Sequence, residues 1–193
     1  MDRIGVLRRR LATQRLSASA LPTAAEAVHL LTCVQSQERD HAFFSLAMRT
    51  RRATSATVKA EHDGGAFVRT HILRPTWHFV AAEDLRWIQA LTAPRVLRAM
   101  AGRHRQLGLD DGPITERTID AITTLLAGGA SLTRRQIGER MAGRPGIAQP
   151  GVQLGHLLMR AELNSIICSG PSDQTQHTYV LADEVLPATL PLQ

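Results

Sequence analysis

Two glutamines separated by one residue, Gln35-Ser36-Gln37, stand just before two carboxylates, Glu38 and Asp40. A side-chain amide is a poor general base, so such a pair cannot drive hydrolysis of a stable bond. Its oxygens can hold a water molecule and stabilise positive charge that develops in a transition state, a positioning and dipole task. That suits a bond whose leaving group is already activated. The geometry sets a condition, because residues two apart face nearly opposite sides of a helix but the same side of an extended segment. A helix opened at Thr23 must therefore end near Cys33. The bland alternative is a polar helix end in water. Glu38 and Asp40 compete for the role of base, although adjacent charges after a helix are more often a solvated turn.

Other chemistry-bearing residues are fewer. His78 lies in an apolar strand beside Trp77 and Phe79 and reads as a core histidine before it reads as a base or a ligand. Trp77 can stack on a nucleic-acid base, with core packing as the alternative. Arg69 and Arg74, on the same predicted hairpin, and Arg39, just after the glutamine pair, are candidate phosphate contacts. Lys59 is the only lysine, so Schiff-base chemistry has few amines to draw on. The eight histidines show no H-x-x-x-H or H-E-x-x-H spacing, and no metal site is expected. Neither a P-loop nor a G-x-G-x-x-G is present, so no cofactor is expected. Cys33 and Cys168 are isolated from each other and from other ligands, which excludes a disulfide scaffold and fits a reducing cytoplasm.

Charge is divided along the 193 residues, whose net charge is +6. Residues 1–105 carry 17 basic and 8 acidic groups, whereas residues 106–193 carry 6 and 9. A basic first half invites a polyanion and an acidic second half does not. No apolar run approaches the length of a membrane span. The basic start, MDRIGVLRRRLATQRL, lacks the apolar core of a secretory leader, so a cytoplasmic, nucleoid-associated location is expected.

These residues need elements to position them. Ile4, Leu7 and Leu11 mark an amphipathic first helix with Arg8, Arg9 and Arg10 opposite. A Thr23/Glu26 capping box opens a second helix, with Val28, Leu31 and Val34 inward. Helices are predicted over about 41–50 and 55–62, a hairpin over Phe67–Leu73 and Trp77–Val80, and two helices over about 82–91 and 93–107. After Gly108–Pro113, Thr115 is the expected cap of a helix carrying Ile122 and Leu126. A Thr133/Gln136 capping box opens the next helix. A third follows, with Leu154, Leu157, Leu158 and Ala161 inward and Gln153, His156 and Arg160 outward. Strands over 165–169 and 178–182 close the order. The fold class expected is mainly α with small β-hairpins, arranged as tandem winged helix-turn-helix domains, 1–112 and 113–193.

Four segments resemble the AlkZ/YcaQ-type family of winged-helix DNA glycosylases: VQSQ at Val34–Gln37, VRTHILRPTWHFV at Val68–Val80, AAEDLRWIQALTAPRV at Ala81–Val96, and LMRAELNSIICSGP at Leu158–Pro171. The middle residue of the tripeptide is Ser36 where the family has a small apolar residue. The resemblance implies double-stranded DNA as partner and hydrolysis of the N-glycosidic bond of alkylated purines, including bases joined in interstrand crosslinks. A purine alkylated at N7 or N3 is cationic and a good leaving group, which is the case two amides can serve. Gln35 and Gln37 are then the catalytic pair, with Arg39, Arg69, Arg74, Trp77 and His78 toward DNA. With Lys59 on a structural-looking helix, the activity is expected to be monofunctional, without strand nicking. Family proteins continue for roughly as long again, so this chain corresponds to the N-terminal half, and by itself is expected to bind duplex weakly with little base release. The rival class is a non-catalytic winged-helix DNA-binding protein, either a degenerate, truncated family member or a regulator reading bases with Gln153, His156 and Arg160, which the acidic charge of that half disfavours; a protein–protein scaffold is a third.

Overall fold

A computed structural model describes residues 2–17 and 20–187. Residues 188–193, assigned to the second unit by sequence, lie outside the described residues, as does Met1. The chain is mainly helical with two small antiparallel sheets. The elements are α1 (Arg3–Thr13), α2 (Ala24–Leu31), β1 (Cys33–Gln35), α3 (Arg39–Ala47), α4 (Ser55–Asp63), β2 (Phe67–Ile72), β3 (Arg74–Ala81), α5 (Leu85–Gln106), α6 (Pro113–Leu126), β4 (Leu132–Thr133), α7 (Arg134–Met141), α8 (Val152–Leu163), β5 (Ile167–Ser169), β6 (Thr178–Leu181) and α9 (Ala182–Val185). The order helix–strand–helix–helix–strand–strand thus occurs twice, α2–β3 and α6–β6. In each case the sheet has the same order, β1-β3-β2 and β4-β6-β5.

Local chemistry accounts for most boundaries. The Thr133 side chain accepts from the Gln136 backbone while Gln136 answers at Thr133, the reciprocal box expected there. Thr23 accepts from the Glu26 backbone at 3.1 Å. Helix α6 departs from expectation: Pro113 is its first residue and Gly112 its cap, with Thr115 buried inside. Proline's fixed φ suits a first helical turn, where its missing N–H has no partner to lose. The two helices expected across residues 82–107 are one 22-residue helix with Pro94 inside it. Packing holds that helix together across the proline: Ala93 and Val96 are buried against Met159 and Leu163 of α8.

Each half has its own core. Ala27, Val28, Phe43, Leu46, Val58, Phe67 and Phe79 fill the first. Ile122, Leu126, Ile137, Met141, Leu154, Leu158 and Tyr179 fill the second. A third cluster joins the halves, with Val68, Ile72, Val80, Leu85 and Ile88 meeting Cys168, Val180 and Ala182. Helix α1 is the exception to the packing rule: Ile4, Leu7 and Leu11 are all exposed, and none of its residues is buried. No helix among the described residues is long and apolar enough to cross a membrane.

Candidate functional site

Helix α2 stops at Leu31 because Thr32 takes φ 64° and ψ −54°, a strained region for a β-branched residue that reverses the chain. The chain leaves it as β1, at the edge of the first sheet, with Val34 opposite Phe79 and Gln35 opposite His78 on β3. The ladder runs one residue further, since the Ser36 N–H donates to the Trp77 carbonyl at 2.8 Å. The chain is therefore extended through Ser36, with Gln37 in the bend that follows, and helix α2 has ended before Cys33 as the glutamine pair requires. Gln35 and Gln37 are exposed, while Ser36 between them is fully buried.

Both amides are oriented. Gln35 Oε1 accepts from Arg74 Nη2 at 3.0 Å, and Gln37 Oε1 accepts from the Trp77 backbone N–H at 3.4 Å. Each partner can only donate, so it fixes the oxygen end of the amide toward itself. A carbonyl oxygen has a second lone pair, so each retains one acceptor direction for water or developing positive charge.

Arg69 requires a correction. Expected at a DNA phosphate, it is 4% exposed. Its Nε and Nη2 donate to the Ser36 carbonyl at 3.0 and 2.8 Å, and Nη2 also to the Gln37 carbonyl at 3.1 Å. Its guanidinium carbon lies 4.1 Å from the Trp77 ring centre. Burial lowers its pKa to about 10, against the opposing pull of Glu162. The hairpin turns this position inward, beside Phe79 on the neighbouring strand. Trp77 is correspondingly a junction residue: Arg69 covers one part of the ring, and its indole N–H donates to Glu162 at 3.3 Å. His78 is corrected as a DNA contact, being buried with Nδ1 bonded to the Thr76 carbonyl at 3.0 Å. Burial holds its pKa below the ordinary histidine value. Arg74 remains exposed.

The residue that sequence reading missed is Glu162, at 0% exposure in α8. Its carboxylate bonds the His71 ring and the Trp77 indole, and His177 Nε2 stands 4.0 Å away. Gln89, also buried, donates to the Glu162 carbonyl at 2.7 Å and to Thr70 at 3.1 Å. The signal was in the spacing. Glu162 falls four residues after Leu158 and eight after Leu154, on the buried stripe of its helix.

Arg39 reaches across the halves, with Nη2 donating to the Thr175 carbonyl at 2.7 Å. With Glu38, Asp40, His41, Arg69, Thr175 and His177 it lines a polar cavity of about 330 Å³. Glu38 precedes α3 and makes no capping bond, and the Asp40 side chain is 85% exposed, as a solvated turn would be. A cavity of about 670 Å³, which also has His177 in its wall, lies between Trp77, α7 and the start of α8. Lys59 pairs with Asp63 one turn along α4. Among the described residues no three His, Cys, Asp or Glu side chains gather as a metal site requires.

The outer stripe expected on α8 is covered by the end of α5 and the connector to α6. Gln153 donates to the Leu107 carbonyl at 2.9 Å, Arg160 pairs with Asp111, and His156 packs edge-on against His104. In this arrangement those three side chains are committed within the chain, away from any base edge.

The family model described as DNA glycosylase AlkZ-like matches residues 28–192. The solved structure of Streptomyces sahachiroi DNA glycosylase AlkZ is similar in fold, with a TM-score of 0.67 and 21% sequence identity. That match covers 94% of this chain and 50% of the other, so the chain spans about half the length of the solved structure. No curated protein matches the chain in sequence.

Proposed function

The chain belongs to the AlkZ-like DNA glycosylase family, and on that premise we propose that it takes part in hydrolysing the N-glycosidic bond of alkylated purines, crosslinked ones included, in duplex DNA. In this reading residues 1–112 and 113–193 are tandem winged-helix units, supported by the repeated element order and the repeated strand order in the two sheets. The basic first half faces DNA, and Arg74 is the phosphate contact nearest the reacting centre. The chemistry needs no cofactor in this reading and runs in the cytoplasm.

The observation that carries the reading is the tripeptide itself. Gln35, at the end of an edge strand, and Gln37, in the bend just after it, are both exposed, with each amide oxygen fixed by a donor. An alkylated purine leaves as a neutral base, so the protein needs to stabilise the oxocarbenium-like sugar and hold the attacking water, and two oriented amide oxygens do both. Hydrolysis then leaves an abasic strand intact, since the lone lysine is engaged with Asp63. The test is release of free base from duplex carrying N7-methylguanine, by this chain joined to the second half of the solved relative, with and without Gln37→Ala. Release that survives the substitution undiminished removes the tripeptide from the mechanism.

A further inference from the structure

We propose that Arg69 and Glu162 are positioning residues for the glutamine pair, so that the second half of the chain sets the geometry of the tripeptide in the first. The proposal rests on the reading of Gln35 and Gln37 as the water-holding pair.

The tripeptide is poorly constrained by its own strand. β1 is three residues long, lies at a sheet edge and pairs only with β3. Past Gln35 a single ladder bond, Ser36 to Trp77, continues the sheet. The Ser36 and Gln37 carbonyls would otherwise have no strand beside them. Arg69 takes both with one planar guanidinium, which fixes the peptide planes on either side of Gln37 and hence the direction of its side chain relative to Gln35 on the strand before it. A lysine ammonium carries the charge without that fork.

Glu162 supplies what a buried guanidinium requires. It arrives on α8 of the second half and sits at the edge of the Trp77 indole whose face Arg69 covers, bonded to the ring N–H and to His71. The two charges share one indole, Arg69 on its face and Glu162 at its N–H edge. Burying such a pair is costly in desolvation, and well-packed apolar residues of similar volume would serve stability as well or better. A structural glue therefore does not explain the choice of residues. Fixing a direction at the carbonyls does. A second bond between the halves runs beside the first: the Arg69 backbone N–H donates to the Ser169 hydroxyl at 2.7 Å. Docking of the second half is thus transmitted to the backbone one strand away from the tripeptide.

The test reads the glutamine amides directly. In the 193-residue protein made with isotopically labelled glutamine, the side-chain amide resonances of Gln35 and Gln37 are assigned by Gln35→Ala and Gln37→Ala. Arg69→Lys and Glu162→Gln should each move the Gln37 resonances toward the position of a free amide and speed their hydrogen exchange, with Gln35, held by Arg74, moving less. The Gln153 amide, held at Leu107 in the second half, should stay in place. Arg160→Ala, a second-half change away from Trp77, should leave Gln35 and Gln37 unmoved. Resonances unmoved in folded Arg69→Lys and Glu162→Gln proteins overturn the proposal. So does loss of fold in both, which would make the pair structural. In the extended protein, both substitutions should lower the single-turnover rate about tenfold or more at unchanged substrate KM, and add nothing to Gln37→Ala. Resonances that move in a protein whose unsubstituted, extended form releases no base leave the positioning intact and count against the catalytic reading alone.

Discussion

The Ser36 carbonyl accepts two hydrogen bonds from the Arg69 guanidinium, at 3.0 and 2.8 Å, while the hydroxyl of the same serine is buried with no partner among the described residues. The residue is held by its backbone, and its side chain occupies a space that needs only a small group. An unsatisfied buried hydroxyl costs about 1–3 kcal/mol. Ser36→Ala should therefore leave stability unchanged or raise it by about 1 kcal/mol, read as the urea midpoint at constant slope. A fall of more than about 1 kcal/mol would mean that the hydroxyl has a bonding role.

Arg69 and Arg74 should separate cleanly, although both lie on one hairpin. Arg69→Ala leaves the buried Ser36 and Gln37 carbonyls without their donor and removes a positive charge near Glu162, and should cost roughly 3 kcal/mol or more of stability. Arg74→Ala should cost under about 0.5 kcal/mol, as an exposed substitution does, and should lower the log–log salt slope of duplex binding by about one unit. Arg160→Ala should leave that slope unchanged, because Arg160 is spent on Asp111 and Leu109. A salt slope lowered more by Arg160→Ala than by Arg74→Ala would place DNA on the second half.

Gln37 and Glu38 are neighbours with opposed expectations. Gln37→Ala should slow base release by roughly a hundredfold or more, the usual cost of a lost positioning or dipole contact. Glu38→Gln should change it little. Gln35→Ala should fall between them, since Arg74 already draws on the Gln35 oxygen. The reverse order for Gln37 and Glu38 would make the carboxylate the base.

The sequence carried the parts of this architecture that depend on local pattern. The Thr133/Gln136 box, the two hairpins and the apolar stripe of α8 were legible because caps, turns and periodicity are written within a few residues. The end of α2 before Cys33 followed from asking what the tripeptide requires. What could not be read was partnership across the halves. Nothing near Arg69 in sequence announces that Glu162 bonds the edge of the same indole whose face it covers, and an arginine on a hairpin reads as exposed. Pro94 misled for the same reason, because the packing of α5 on α8 that overrides it is non-local. The spacing that puts Glu162 on the buried helical stripe was a local sign of the junction, and it was missed because an acidic residue on such a stripe is read as exposed.

Stability should fall as the medium becomes mildly acidic. Burial is the main cause holding His62, His78 and His177 below the ordinary histidine pKa. The unfolded chain therefore takes up protons first as pH falls through about 6.5, while the folded chain does not. Their contribution is complete above that pH and is lost below it, by up to about 1.4 kcal/mol per pH unit for each histidine. Asp63 adds to the loss at lower pH: burial opposes its ionisation, yet Lys59 and the Ser172 N–H hold its carboxyl well below the usual range. Urea titrations between about pH 7 and pH 5 should show this decline, and His177→Gln should make it shallower. A flat profile would mean that these rings are solvated.

Residues 1–193 alone should bind duplex weakly and release little base. They match half of the solved relative's length, and the charge they carry is uneven, with 17 basic against 8 acidic groups up to residue 105 and 6 against 9 beyond it. A winged unit grips DNA over a small surface, and base excision must also hold the duplex while a damaged nucleotide is reached. The second half adds little to that grip, because the polar face of α8 is folded back onto α5 and its connector. Folding makes no such demand, since both halves have filled cores and a third cluster joins them. Cooperative unfolding together with weak, salt-sensitive duplex binding is the expected pair of results. The chain joined to the second half of the solved relative should bind more tightly and release base faster. Equal rates for the short and extended proteins would show that the two units described here suffice for both grip and chemistry.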